Sequence, residues 1–367
     1  MSPNNFYADY SWDKMLSLNP QSEYSIQKYH QILSPDWPDF LQKYLELPLL
    51  KRLEGVGLLC GTDWTKLYKN RFYYSRLDHS VGVALIIWHF TKDKAQTIAG
   101  LLHDVSTPVF SHVSDFRKGD ALTQTATESD NARLLRSNEA LLSMLKKDGL
   151  SIDQVEDYHK YPVADNEIPQ LSADRLEYMY PSGMALDGSW TLETIKRTYE
   201  DIRVFKNENG EAELGFCTLK IAEEYCRHFC LIGHILQLNE NKLTLNLLGQ
   251  IMNRAIKSGC LTEEDFMTKN ERQIIEKLEQ SELDPEVNRL FWTFRTMTKI
   301  EHTDQALPEN DYYSCSLKVK QRYINPLVLT KDGTPQRLST LSAYGKMLID
   351  DFLAYEDTPY GCVKLVK

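Results

Sequence analysis

The stretch "LLHDVSTPVFSH" (101–112) ends an apolar helical segment on adjacent His103 and Asp104, residue types that gain nothing from a dry core. A buried carboxylate is costly unless it is paired or bound to a metal, so the doublet calls for partners elsewhere. His79 in "RLDHSVGV" and Asp174 in "LSADRLEY" are the candidates. Two neutral imidazoles and two carboxylates make a mixed nitrogen and oxygen donor set suited to divalent Mn, Fe, Co, Ni or Zn, with positions left for water or phosphate oxygens. Asp104 can serve one ion or bridge two. By residue type alone, the reading of the four as hydrogen-bonded structural residues wins, so their placement has to decide.

The flanking sequence supplies a placement. Residues 79–91, "HSVGVALIIWHFT", and 94–104, "KAQTIAGLLHD", read as two apolar helices joined by a short polar turn, hence an antiparallel hairpin. His79 opens the first arm and His103-Asp104 close the second. At about 1.5 Å rise per residue both ends travel a similar distance from the turn and arrive side by side. Ser172 is placed to cap a helix through "ADRLEYMY" that carries Asp174 in its first turn.

The rest of the chain reads as mostly helical, with helices expected near 129–148, 191–205, 217–237, 243–258, 262–280 and 284–300, and a small hairpin or loop at "KNENGEAELGF". In 38–54 a proline should kink or restart a helix. Past Pro308 the texture changes: "YYSCSLKVKQRYINPLVL" alternates β-branched and aromatic with polar residues. The expected organisation is an N-terminal extension (1–27), an all-α domain (28–305) and a small mixed α/β appendage (306–367).

Composition narrows the function. The chain has 367 residues, 42% hydrophobic and 26% charged, which is ordinary for a globular protein. A net charge of -10 argues against strong nucleic-acid or membrane-surface binding, so any phosphate site must bring its own local positive charge. The longest apolar run, "VGVALIIW", is far short of a membrane span, and the first residues lack the pattern of a signal peptide, so a cytoplasmic location is expected. The seven cysteines offer no paired zinc knuckle, and Cys226 and Cys230 read as small core residues of an amphipathic helix.

"RLDHSVGVALI", "TIAGLLHDVSTPVFSHVSDF" and "LSADRLEYMY" together resemble the HD-domain superfamily of metal-dependent phosphohydrolases, whose H…HD…D signature falls on His79, His103, Asp104 and Asp174. "AGLLHD", "P-x-F-S-H" and "ADRLEY" look most like its deoxynucleoside triphosphate triphosphohydrolase branch, which includes the dGTPases. "LELPLLKRLEGVGLL" and "CLTEEDF" are similar to further segments of that branch, so the likeness covers roughly residues 28–300. It implies an HD helical bundle, a divalent ion (Mg joining the metals above) that activates water for attack on phosphorus, a nucleotide-like phosphate substrate and a homo-oligomer. It also implies that Arg76 contacts phosphate, that Arg175 stands where the branch carries a Lys, and that Tyr178 lies near sugar and phosphates.

The departures fall in the catalytic machinery. The branch reads "HDLGH" where this chain reads "HDVST", so Thr107 replaces an expected His, and "TATESD" keeps Glu128 but has Thr127 in place of its paired His. Thr is no acid or base near pH 7, so His112 and Glu128, with Asp104, are left as the catalytic set, and Asp115 either orients His112 or touches ligand. Three outcomes follow: His112 and Glu128 suffice, the substrate is a monophosphate or another ester, or the domain is a nucleotide- or metal-binding regulator with weakened turnover.

Overall fold

A computed structural model describes residues 25–122, 130–282 and 284–367. Helix α1 (Ile26–Leu33) leads through short helical turns at Leu41–Leu45, Pro48–Lys51 and Arg52–Gly55 to the hairpin α2 (Arg76–Thr91) and α3 (Lys94–Leu102). Pro48 restarts the helix at its first position, as a residue without an N–H can. Ser75 and Asp78 close a reciprocal capping box at the start of α2, and Asp93 caps α3 by accepting from the Gln96 N–H. Between the helices stand only Lys92, in the left-handed region at φ 53°, and Asp93. Apolar on nearly every side, α2 is buried on nearly every side from Arg76 to Ile87.

A short α4 (Val113–Arg117) follows. Helix α5 (Ala173–Leu186) starts at Ser172, whose hydroxyl accepts from the Arg175 N–H at 3.2 Å, and packs across α2. After α6 (Leu192–Glu200) the expected helix to 205 gives way to strand β1 (Ile202–Lys206), which turns back antiparallel into β2 (Ala212–Phe216) with Ile202 opposite Phe216. Gly210 supplies the positive φ, 79°, that this turn needs. Long helices α7 (Leu219–Gln237) and α8 (Asn239–Lys257) meet at a sharp corner, and α9 (Glu271–Gln280) and α10 (Pro285–Thr296) complete the helical part.

The chain is thus mostly helical, with two small sheets. The all-α expectation for 28–305 needs correction, because β1 and β2 lie within that range and strand β3 (Glu301–Thr303) does too. β3 pairs with the C-terminal strand, Glu301 opposite Cys362. The last residues are woven into both sheets. Strand β4 (Tyr312–Cys315) pairs antiparallel with the C-terminal strand, and β5 (Leu327–Leu329) runs parallel to β2 and antiparallel to β6 (Pro335–Arg337). Helix α11 (Ala343–Ala354) lies on α7 before β7 (Tyr360–Lys364) ends the chain. Two hydrophobic clusters result, one around α2, α3, α5 and α7, the other around α4, α8, α9 and α10. Among the described residues, no helix is long and apolar enough to cross a membrane.

Candidate metal and phosphate site

A cavity opens where the two clusters meet, lined by Leu58 from one and by Phe116, Leu245 and Val319 from the other. His79, His103, Asp104 and Asp174 all face it. The hairpin, its arms of similar length, returns His79 to His103 and Asp104, and the start of α5 adds Asp174. His79 Nε2 is 3.0 Å from Asp174 Oδ1 and 3.9 Å from Asp104 Oδ2, while His103 Nε2 is 3.6 Å from Asp104 Oδ2 and 3.9 Å from Asp174 Oδ1. His79, His103 and Asp104 each offer one ligand atom within 4.8 Å of the others.

The groups behind the donors fix their orientation. His103 Nδ1 donates to Gly100 O at 2.7 Å, and His79 Nδ1 lies 2.5 Å from Glu177 Oε2, which leaves both Nε2 atoms turned to the cavity. Arg76 donates from Nη1 to Asp104 Oδ2 at 2.8 Å and from Nε to Ser111 Oγ at 2.9 Å. Thr107 Oγ1 donates to the other Asp104 oxygen at 2.8 Å, so the residue standing where a His was expected anchors this carboxylate.

The electrostatics ask for one more positive charge. Burial pushes the Asp104 and Asp174 carboxyls up, but Arg76 and the imidazoles around Asp104, and the His79 bond and charge at Asp174, hold both well below the usual carboxylate range. Burial also pulls the His79 imidazole down, and the charge of Glu177 with the bonds to Asp174 and Glu177 overcomes this, raising it to about 10. Three carboxylates thus face two cations, the Arg76 guanidinium and the His79 imidazolium, whose proton an incoming ion would displace from Nε2. The donor set and its charge deficit fit a divalent ion.

Beside this centre the backbone enters the left-handed region at two successive non-glycine residues, Phe110 (φ 63°) and Ser111 (φ 52°). Such a turn costs on the order of 1–2 kcal/mol per residue and persists where surroundings enforce it. Here it delivers Ser111 to Arg76 and turns His112 into the cavity. His112 Nδ1 lies 2.9 Å from Asp115 Oδ2, and Nε2 lies 3.3 Å from Arg322 Nη2. Burial, aided by the Arg322 and Arg76 charges, holds the His112 imidazole below its ordinary value despite Asp115. The neutral ring that results donates from Nδ1 and accepts at Nε2.

The other expected site residues divide. Arg76 and Tyr178 line the cavity, and Asp115 sits fully buried behind His112. Arg175 is placed elsewhere: its guanidinium donates to Asn166 Oδ1 and O, each at 2.7 Å, and to Gln170 O at 2.5 Å, bracing the loop before α5. One residue beyond Asp174, it is turned about 100° around the helix and away from the ion site. Glu128 and Thr127 lie outside the described residues.

Sequence reasoning missed Glu177 and Arg322. Glu177 carried a signal, since it stands three residues after Asp174 on one helix face. Arg322 carried none. It comes from the irregular segment before β5, reaches the cavity, and its guanidinium carbon lies 6.0 Å from the Tyr178 ring centre.

No family model matches the chain. Over 165 residues, 45% of the chain, it is 29% identical to the metal-dependent phosphohydrolase cns2 of Cordyceps militaris, and this match spans 46% of that relative, about half its length. Over 301 residues it is 23% identical to the uncharacterized protein YdhJ of Bacillus subtilis, covering 80% of this chain and 85% of that one. Among solved structures, a phosphohydrolase from Bacteroides thetaiotaomicron is similar with a TM-score of 0.60 at 14% identity, over 90% of this chain and 97% of that chain. A hypothetical protein from Aquifex aeolicus is similar with a TM-score of 0.59 at 15% identity, over 90% and 93%. At such identities the structural likeness speaks for the fold alone. In sequence, the chain is similar to a metal-dependent phosphohydrolase, and it carries a buried cluster of two imidazoles and an aspartate able to hold an ion.

Proposed function

We propose that the chain is a divalent-metal-dependent phosphohydrolase of the HD type, built on that superfamily's helical bundle, which hydrolyses a phosphate monoester, a nucleotide or an ester of similar shape. The observation that carries this reading is the convergence of His79, His103, Asp104 and Asp174, from three helix ends, on one cavity. These four residues would hold the ion, which supplies an acidified water and charge neutralisation at phosphate oxygens.

The chain's own groups do the rest. Arg76 keeps Asp104 ionised and aimed. Arg322 faces the same cavity as a planar fork suited to phosphate oxygens, with Tyr178 beneath it. His112, oriented by Asp115, presents Nε2 as the atom that takes up or returns a proton while the P–O bond to the leaving alcohol breaks. Glu128 remains a sequence-based candidate for a second proton-transfer group. A single phosphate suits the charge present: among the described residues the Lys and Arg side chains lining the cavity are Arg76, Lys320 and Arg322, and Arg76 is already bound to Asp104. A triphosphate would demand more.

The test is phosphate release from nucleoside mono- and triphosphates and p-nitrophenyl phosphate, with elemental analysis of the purified protein and Asp104→Ala as the control. Metal-dependent release that disappears with the ion in Asp104→Ala supports the enzyme. Saturable nucleotide binding without release from any compound would instead make the chain a regulatory binding protein.

A further inference from the structure

The cavity extends past the ion donors to the corner where α7 passes into α8. Leu59, Leu236, Leu245 and Val319 give it apolar walls, and two amides, Gln237 and Asn241, stand among them. Both amides are more than nine-tenths buried, at 7% and 9% exposure, so which end of each faces a ligand matters.

The hydrogen bonds settle that orientation. Gln237 Nε2 donates to Lys320 O at 3.0 Å, and Asn241 Nδ2 donates to Leu236 O at 2.9 Å. A backbone carbonyl only accepts, so each of these bonds identifies the nitrogen end of its amide. The remaining ends, Gln237 Oε1 and Asn241 Oδ1, accept no hydrogen bond from any described residue, and neither is sealed from solvent. The corner therefore presents two acceptors among apolar side chains.

We infer that this corner is a base-reading subsite that selects an amino-bearing base, adenine or cytosine, over its oxo counterpart, in a nucleoside monophosphate. The inference rests on the phosphohydrolase reading above for the phosphate end and on the amides for the base end. An exocyclic amine donates to a carbonyl oxygen. An oxo group in the same place sets acceptor against acceptor and leaves a buried amide oxygen unpaired, a difference worth about tenfold to a hundredfold in affinity.

Adenosine against inosine, and cytidine against uridine, are near-isosteric amino and oxo pairs, and as nucleosides they carry no phosphate to lose. The experiment measures their binding to the full-length, metal-loaded protein by calorimetry, alongside kcat/KM for the four corresponding monophosphates and p-nitrophenyl phosphate. Tighter binding of the amino member of each pair by tenfold or more, with the same order in kcat/KM, is the expected result. Gln237→Met, checked for folding by its melting curve, should bring the adenosine-to-inosine ratio towards one. Equal affinities within each pair, or no nucleoside binding at all, overturn the inference even where every phosphate ester is hydrolysed. An amino preference without phosphate release from any compound leaves the base-reading corner standing and removes the hydrolase reading instead.

Discussion

Glu177 Oε2 lies 2.5 Å from Nδ1 of His79, while the other oxygen of the same fully buried carboxylate accepts from the hydroxyls of Tyr74 at 2.7 Å and Tyr29 at 3.1 Å. This bond decides which imidazole nitrogen faces the cavity, where an ion would be held. Partners of this kind commonly change metal affinity about tenfold to a hundredfold when removed. Glu177→Gln should therefore weaken metal binding by that factor, read by competition with a chromogenic chelator. Gly82 approaches so closely that an added Cβ would sit 2.4 Å from Glu177 Oε1, so Gly82→Ala should weaken the ion as well by displacing the carboxylate. A dissociation constant unchanged in Glu177→Gln would reduce Glu177 to a packing role.

Arg322 gives the second prediction. Losing a charge-assisted contact to phosphate costs about 1.5–3 kcal/mol, or roughly tenfold to a hundredfold. Arg322→Ala should raise KM for a phosphate monoester and the inhibition constant of inorganic phosphate by that factor, and Arg322→Lys should recover part of the loss. The same change removes a charge that helps hold His112 below its ordinary value, so an acid limb set by His112 should move to higher pH in Arg322→Ala. An inhibition constant for phosphate equal to wild type would refute a phosphate contact.

Asp115 and His112 give the third. Asp115→Asn keeps the size of the side chain but can offer Nδ1 of His112 a donor, which favours the tautomer with its proton on Nε2. Proton transfer by a positioned side chain contributes about 10²–10⁴-fold. The expected outcome is a fall in kcat of about a hundredfold or more with KM changed little, measured by steady-state kinetics on a monophosphate. A change confined to KM would show that His112 binds ligand without moving a proton.

How much of this was legible in the sequence follows from the range of the interactions involved. The four candidate ion donors were readable because local rules place them: a two-residue turn with arms of similar length returns His79 to His103-Asp104, and the Ser172 cap sets Asp174 in the first turn of α5. Arg175 misleads because adjacency in sequence means a turn of about 100° around a helix, and its guanidinium follows that turn to the 166–170 loop. Arg322 is invisible locally, since its arrival depends on β5 pairing parallel with β2 across more than a hundred residues. Pairing at that distance is also why the last sixty residues could not be read as part of both sheets from the local alternation of residue types. Glu177 was within reach, three residues from Asp174, once the helix was accepted.

A fourth prediction concerns stability and pH, through Glu271 at the start of α9. Its carboxyl is fully buried, with Oε1 accepting from the Gly57 N–H at 2.9 Å and Oε2 from Trp64 Nε1 at 2.7 Å. Burial, with the nearby Asp63 charge and against the Trp64 and Gly57 bonds, pushes its pKa from 4.5 up to about 8. Between those two values the folded chain keeps a proton that the unfolded chain has released, so this group's contribution is full below 4.5 and is lost as the pH rises through about 8. One proton limits the slope to about 1.4 kcal/mol per pH unit. Glu271→Gln pays any cost of its mismatched amide at every pH but carries no such slope. Urea unfolding of both proteins at pH 5, 6.5 and 8 should therefore show the stability difference shifting steadily in favour of the variant as the pH rises, whereas parallel curves would mean that Glu271 is already ionised in the folded protein.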